Sequence, residues 1–417
     1  MILRKRQSKS NNNPCNPCSR MASSCRRGER RIAAMGDRNK SGNDENDDGK
    51  EAKAARENVK TEAVNGRIEM RGRDLSNPVS LKVLHSVLHN STPSVTALDL
   101  SWTNLGDENA ATLCGMLEES TSLKELFLCG NGLGDSSTDY LESLLRNNKS
   151  IVKFHLGANT LGKEAVANLA GGLRNQEYLQ ELDLWNCSMG DEATAELLKN
   201  VPDAKALRVL RLNLNQLGPL SLRAATELLQ VPTALEVLNL DSNPNLFGRQ
   251  NEDEVAFIDT LAQNKTLRWL GIPYTGITDF SASLTFEALT RNQTLEYIDI
   301  GYNEIFKDGY GTMVKCIPQM KSLKHLRTHA RAQLVSADVL SKAVEQNTSL
   351  HQFTSICVGC SKLWASLRRN QVLSRANEFV CNEESPRSAL PLAIEKLSSE
   401  KDGGASAVFQ LLECYFR

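Results

Sequence analysis

Long apolar runs are missing from this chain of 417 residues: none approaches the roughly 18 residues that a membrane span needs, and no secretory core precedes a cleavage site. Neither insertion nor export is expected. Grouped catalytic side chains are missing too. The histidines (His85, His89, His155, His325, His329, His351) are scattered, and no motif pairs one with a Ser or Cys nucleophile, so no enzyme class is indicated. Metal-ligand spacing is absent in usable form. Cys15 with Cys18 and Cys357 with Cys360 make two CxxC pairs, but neither has further ligands nearby, and no metal or cofactor is expected. Eleven cysteines without a secretory signal point to a reducing compartment. Charge of one sign is scarce as well. The net charge of -1 divides into +6 over residues 1–62 (15 basic, 9 acidic) and -7 over the rest, which leaves no nucleic-acid footprint on the body of the chain.

What is present is a period. Val95, Leu123, Ile151, Leu179, Leu207, Leu235, Leu267, Leu295 and Leu323 each open an LxxLxL pattern, 28 residues apart except for a step of 32 between Leu235 and Leu267. Counting each opening residue as column 1, columns 1, 4 and 6 are apolar everywhere except at Thr328. Alternation about polar column 5 predicts a short strand with one buried face. Leu113 and Leu117, Leu141 and Leu145, Leu169 and Leu173, and Leu197 and Val201 stand four apart, which predicts a helix further on in each unit. A lone unit of this size cannot bury its apolar face, so neighbours must stack to share one core. Column 9 holds Thr103, Asn131, Asn159, Cys187, Asn215, Asn243, Thr275 and Asn303, where the chain turns inward and leaves backbone groups to be bridged between units.

Segments such as LKELFLCGNGLGD and LQELDLWNCSMGD resemble leucine-rich repeats of the ribonuclease-inhibitor-like class, as found also in NOD-like receptors. The resemblance covers about residues 63–356, as about ten units. It implies an α/β solenoid, a horseshoe with a parallel inner sheet and outer helices, acting as a non-enzymatic scaffold that grips a protein on its concave face. Ran GTPase-activating proteins are built from repeats of the same class. The alternative function that this resemblance implies is regulation of a GTPase through an early-repeat loop, with Arg71 and Arg73 the nearest candidates; the acidic tail of that family has no counterpart in this sequence.

The period also disposes of two apparent motifs. Gly157, Gly162 and Lys163 imitate a phosphate-binding loop, but Glu164 stands where Ser or Thr would hold magnesium, and the same glycine recurs in unit after unit. Asn148, Asn264, Asn292 and Asn347 sit in glycosylation sequons that fall at the helix-to-strand turn, so they are read as turn chemistry.

Columns 3, 5, 7 and 8 face solvent on the inner sheet, and the candidate partner contacts fall on them: Trp102, Phe127, His155, Trp185, Arg211, Trp269, Tyr274, Tyr297, Asp299 and Tyr302. Trp269 and Tyr297 are lateral neighbours in column 3, and Tyr274 and Tyr302 in column 8. Between them run Gly271, Pro273, Asp299 and Gly301, which predicts a shallow trough with two aromatic walls. Strands roughly 4.8 Å apart put Trp102 and Tyr302, seven steps distant, roughly 34 Å from one another. That span suits a folded protein or long peptide, not a small-molecule substrate. Mixed charge in column 5 (Asp99, Asp183, Arg211, Asp299, Arg327) predicts a partner of mixed charge. The insertion in DSNPNLFGRQNEDE is expected to project a loop beside the sheet.

The ends differ in composition. Residues 1–62 are rich in Ser, Asn, Arg and Gly, basic first and then acidic, and are expected to be disordered, with the basic clusters open to a nuclear or organellar targeting role. Residues 357–417 read as a helical cap, with Trp364, Leu367, Val372 and Leu373 on one helix and PLAIEKLSS and AVFQLLECYF as two more; an adaptor role through Val408, Leu411, Leu412 and Phe416 is the other reading. A cytoplasmic or nuclear location is expected, without membrane or nucleic-acid partners.

Overall fold

A computed structural model describes residues 65–90, 94–174, 176–329, 335–354 and 361–381. The tail over 1–62, both CxxC pairs and the stretches PLAIEKLSS and AVFQLLECYF lie outside the described residues.

Columns 3 to 5 form strands of three residues. They are β1 Arg67–Glu69, β2 Ala97–Asp99, β3 Glu125–Phe127, β4 Lys153–His155, β5 Glu181–Asp183, β6 Val209–Arg211, β7 Val237–Asn239, β8 Trp269–Gly271, β9 Tyr297–Asp299, β10 His325–Arg327 and β11 Gln352–Thr354. All pair in parallel in one sheet, in chain order, with equal columns opposite each other: Leu98 faces Leu126, which faces Phe154, and so on to Leu326 and Phe353. The helices follow each strand on the outer side: α1 Pro78–Asn90, α2 Gly106–Leu117, α3 Thr138–Asn147, α4 Lys163–Leu173, α5 Asp191–Asn200, α6 Pro219–Gln230, α7 Glu252–Gln263, α8 Asp279–Arg291, α9 Lys307–Cys316, α10 Ala337–Glu345 and α11 Ser361–Cys381. The described sheet has eleven strands, one before and one after the nine that the period marks. The first unit opens on Asn65, with a left-handed φ of 55° where the other units have Leu, Ile or Val.

One core runs the length of the array. Column 4, from Ile68 to Phe353, is at most 3% exposed, and burial of each such side chain is worth roughly 1.5–3 kcal/mol. Thr328 is the exception to the apolar columns, and the structure shows its consequence: the residue is 1% exposed and its hydroxyl finds no partner. Thr328→Val should therefore stabilise the protein by about 1 kcal/mol, read as an upward shift of the urea midpoint at an unchanged slope.

Two ladders of side-chain amides lock neighbouring units together. In column 9, Asn131 Oδ1 accepts from the backbone N–H of Thr103 (2.9 Å) and Leu105 (3.2 Å) while its Nδ2 donates to Leu100 O at 2.8 Å. Asn159, Asn243 and Asn303 repeat the pattern. The threonines lack the amide pattern: the hydroxyl of Thr103 lies 2.7 Å from Leu100 O of its own unit and 2.9 Å from Asn131 Oδ1 of the next, and that of Thr275 donates to Ile272 O of its own unit. At the opposite turn, Asn148, Asn264, Asn292 and Asn347 donate to Leu117, Leu229, Leu261 and Ile317 of the preceding unit. These amides are at most 9% exposed, which leaves them unavailable to a glycan in the folded chain.

Helix starts are tied across units as well. Asp191 Oδ1 and Oδ2 accept from the N–H groups of Gly218 (2.9 Å), Leu220 (3.1 Å) and Ser221 (2.7 Å), so the carboxylate of one helix caps the next. Asp107, Asp135 and Asp279 do the same for the units that follow them. This explains the glycine at two of these turns, since a Cβ on Gly162 or Gly218 would lie 2.5 or 2.8 Å from the capping carboxylate, whereas Gly106 and Gly190 hold a left-handed φ of 70° and 74°. Lys163 of the apparent phosphate loop instead pairs with Glu192 at 2.9 Å.

The insertion departs from expectation. Leu246 and Phe247 turn into the core at 1% and 4% exposure, Phe247 meets Phe257 edge-on at 5.7 Å, and buried Glu254 accepts from the N–H of Arg249 and Gln250. Two apolar residues in the inserted turn pull it inward, so it does not project as a free loop.

Candidate partner-binding face

Register carries the side chains of each column into rows across the sheet. In column 3, Trp269 and Tyr297 stack with centroids 5.0 Å apart at 9° and His325 extends the row at 5.8 Å; His351, one residue before column 3 of the last strand, follows at 6.5 Å. A second row is Tyr274 on Tyr302 (4.6 Å, 6°), then His329 on Tyr302 at 3.6 Å. Gly271, Pro273 and Gly301 are buried between the rows, and Asp299 pairs with Arg327 at 3.2 Å. Desolvation raises the carboxyl pKa of Asp299, and burial pushes the imidazoles of His325 and His329 down, so both rings are neutral near pH 7. The three histidines were not among the sequence candidates. Only the columns of His325 and His329, 3 and 7 beside tyrosines, carried a signal.

The second of these rows stands on an unusual backbone. In column 8 Trp102, Ala158, Asn186, Leu214, Ser242, Tyr274 and Tyr302 all have φ between 50° and 62°, the left-handed region where Gly or Asn is least strained. Tyr274 is nonetheless 51% exposed. A bulky ring held at a strained and solvated position gives the fold little.

A second cluster occupies units three to six. Phe127 meets His155 edge-on at 4.7 Å, His155 Nε2 lies 3.2 Å from Glu181 Oε1, and Arg211 bonds the same carboxylate and lies 3.9 Å from Asp183. Mixed charge in column 5 is thus largely neutralised within the sheet. Hydrogen bonding from His155, joined by Arg211, holds Glu181 down at about 2, against burial, while desolvation raises the neighbouring Asp183. The sign follows: Glu181 stabilises the fold above its ordinary value of 4.5, and the contribution is lost as pH falls from there toward 2. Glu181→Gln should remove about 2 kcal/mol at pH 7 and flatten the acid limb of a stability-against-pH curve over that window.

The tryptophans of the face lie flat on glycines. A Cβ at Gly157 would sit 2.1 Å from Trp185, one at Gly130 2.3 Å from Trp102, and one at Gly271 2.6 Å from Trp269. Gly157→Ala should therefore lift the Trp185 indole into water, with red-shifted emission and stronger acrylamide quenching that Trp185→Phe abolishes. The structure brings the predicted contacts into two groups, Phe127, His155 and Arg211 in one, with Trp185 beside them over Gly157, and Trp269, Tyr274, Tyr297, Asp299 and Tyr302 in the other. Trp102 stands apart near the first units. Cys114 and Cys129 are pushed up to about 12 by burial, and Cys187 and Cys316 are also raised, so none of these thiols is a ready nucleophile. Arg71, of the GTPase reading, is exposed in the turn after β1.

Parallel strands in column register, amide ladders and one helix per unit decide the class. The chain is a leucine-rich repeat protein. A sequence profile described as Leucine Rich repeat matches residues 92–114 of this repeat array. No curated protein matches the sequence significantly. Among solved structures, the leucine-rich repeat chain is similar to an internalin from Listeria monocytogenes (13% identity, 77% of this chain and 92% of that one, TM-score 0.42). It is similar also to a Rad7 and Elc1 complex in yeast (14%, 81% and 91%, TM-score 0.42) and to the Caenorhabditis elegans tropomodulin C-terminal domain (16%, 38% and 97%, TM-score 0.34). None of these likenesses carries a partner or an activity to this chain. No helix among the described residues is long and apolar enough to cross a membrane.

Proposed function

We propose that this protein is a non-enzymatic scaffold of the ribonuclease-inhibitor-like class, cytoplasmic or nuclear, that seats a protein or long peptide on its concave sheet. The trough of units eight to ten is the centre of the footprint, with Phe127, His155, Trp185, Arg211 and Trp102 as outlying contacts. The observation that carries the reading is the pair of stacked aromatic rows, one rooted on left-handed backbone, over a floor of small buried residues. Aromatic anchors add contact area at low entropy, whereas a sheet surface that needs only cover can use small polar side chains, as Asn213 and Asn239 do in units six and seven.

Photocrosslinking tests the seat. A benzophenone amino acid in place of Asn239, half-buried beside the trough, should yield a discrete adduct with a captured partner, and the same probe at exposed Tyr140 on helix α3 should not. Adducts at Tyr140 alone would overturn the concave seat.

A further inference from the structure

Trp102 belongs to neither group of predicted contacts, yet its ring leans toward one of them. The Trp102 indole of unit two covers Gly130 of unit three, and the Trp185 indole of unit five covers Gly157 of unit four. The two glycines are bonded neighbours, Gly130 N–H donating to Gly157 O at 2.9 Å, so the indoles reach from opposite sides onto one floor. Cys129 beside Gly157 in column 7 and Ala158 beside Gly130 in column 8 complete that floor with small side chains. Neither indole stacks on another ring of the described residues, in contrast to Trp269 on Tyr297. The column 5 row along the floor is Asp99, Phe127, His155 and Asp183, which puts a carboxylate at each end. Asp99 Oδ1 accepts from Ser101 N–H (2.9 Å) and Asp183 Oδ1 from Trp185 N–H (3.1 Å), bonds that turn both carboxylates toward column 7. No lysine or arginine of the described residues pairs with Asp99. Asp183 is 7% exposed, and its cation, Arg211, is 3.9 Å away and bonds Glu181 more closely.

We propose that this hollow takes a guanidinium group, the side chain of an arginine on the protein that the concave face seats; that the occupant belongs to a protein rests on the reading above. Charge selects a cation. In columns 3 and 5 of β1 to β6, carboxylates outnumber Lys and Arg five to three. Burial, and after it the charges of Asp183 and Asp99, push the Cys129 thiol up, so the fields of the two carboxylates meet over the floor. An apolar or acidic side chain seated there would desolvate both carboxylates without a counter-charge. Shape selects arginine among the cations. A planar guanidinium stacks on an indole face and keeps its N–H donors in its own plane, where the carboxylates of the rim stand; the compact ammonium of lysine does not combine the two. The fold already holds one such pair, the Arg67 guanidinium 5.8 Å from the centre of the Phe127 ring. Asp99 and Asp183 stand three strands apart, roughly 14 Å along the sheet, which leaves room for one planar cation between them.

The indole N–H signals of the four tryptophans in an NMR spectrum of the full chain test this. On titration with N-acetyl-arginine amide, the signals of Trp102 and Trp185 should shift saturably while those of Trp269 and Trp364 stay in place. N-acetyl-citrulline amide, of the same shape without the charge, should bind at least tenfold more weakly. Asp99→Asn should weaken the arginine probe at least fivefold; the amide retains an acceptor for Ser101 N–H, as Asn239 has for Asp241 N–H. Trp102→Asn, which suits the left-handed φ of 62° there, should weaken it as much. A capped pentapeptide with one arginine between glycines should bind at least as tightly as the single residue. Equal binding of the citrulline probe would overturn the proposal, as would Trp102 and Trp185 signals that do not move. Binding of the single residue without binding of the pentapeptide would give the hollow to a small molecule and overturn its assignment to a protein side chain. Crosslinking from Asn239 reports on the concave seat by itself, so that reading can fail while the arginine probe binds, and the reverse.

Discussion

Replacing Asn215 by Leu should destabilise the array by about 4 kcal/mol, the largest effect expected from any single substitution that keeps side-chain volume. Asn215 is fully buried; its Oδ1 accepts from Cys187 N at 2.7 Å and its Nδ2 donates to Leu184 O at 2.7 Å. Leucine removes both bonds and leaves a donor and an acceptor of the preceding unit buried without partners, each worth about 1–3 kcal/mol. The site also sits beside the weak rung of the ladder, where Cys187 reaches Leu156 O only through a sulfur donor at 3.4 Å. Units four and five, on either side of this rung, keep their strand pairing and shared core but lack a strong side-chain link here. Urea unfolding of Asn215→Leu should therefore show a lower midpoint and a broadened transition, as the array opens between units five and six. The converse substitution, Cys187→Asn, restores the rung and should gain about 1 kcal/mol. If both leave the midpoint in place, the amide ladder is not what joins the units.

Removing the trough walls should act on binding instead. Trp269→Ala with Tyr302→Ala deletes one ring from each stacked row, and two aromatic anchors of about 2 kcal/mol each correspond to a loss of several hundredfold in affinity for a captured partner. Both residues are half-buried on the solvent side of the sheet, so the melting temperature should fall by only a few degrees. Tyr178→Ala, an exposed ring at 43% on the turn before β5, is the control and should leave affinity unchanged. Equal losses from the double substitution and the control would remove the trough from the interface.

Much of this was legible because the structure repeats the sequence with a fixed register. A pattern of apolar columns named the strands, and lateral adjacency followed from column number, so the Trp269–Tyr297 and Tyr274–Tyr302 pairs could be read before any coordinates. The same bookkeeping contained His325 and His329, but isolated histidines do not announce stacking, and only the geometry joins them to the rows. The unit of β1 lies within the stretch 63–356, but its opening residue breaks the pattern because Asn65 is polar. Several helix caps escaped for a different reason: the carboxylate sits a whole unit earlier, as Asp191 does for Ser221, whereas α7 and α10 are capped locally by Asn251 and Ser336. The insertion near Phe247 was misread because loop length was weighed without asking where its two large apolar side chains would go. Charge in column 5 was legible residue by residue, but its neutralisation required knowing that Arg211 and Arg327 reach sideways to carboxylates on the neighbouring strand.

The seat of the partner is best tested by hydrogen exchange of the full chain with and without a captured protein at saturating concentration. Slowed exchange over 269–275, 297–303 and 325–329, with the outer helix Asp279–Arg291 unchanged, is the predicted result. Slowing confined to that helix and its outer neighbours, with the three inner segments unaffected, would contradict it.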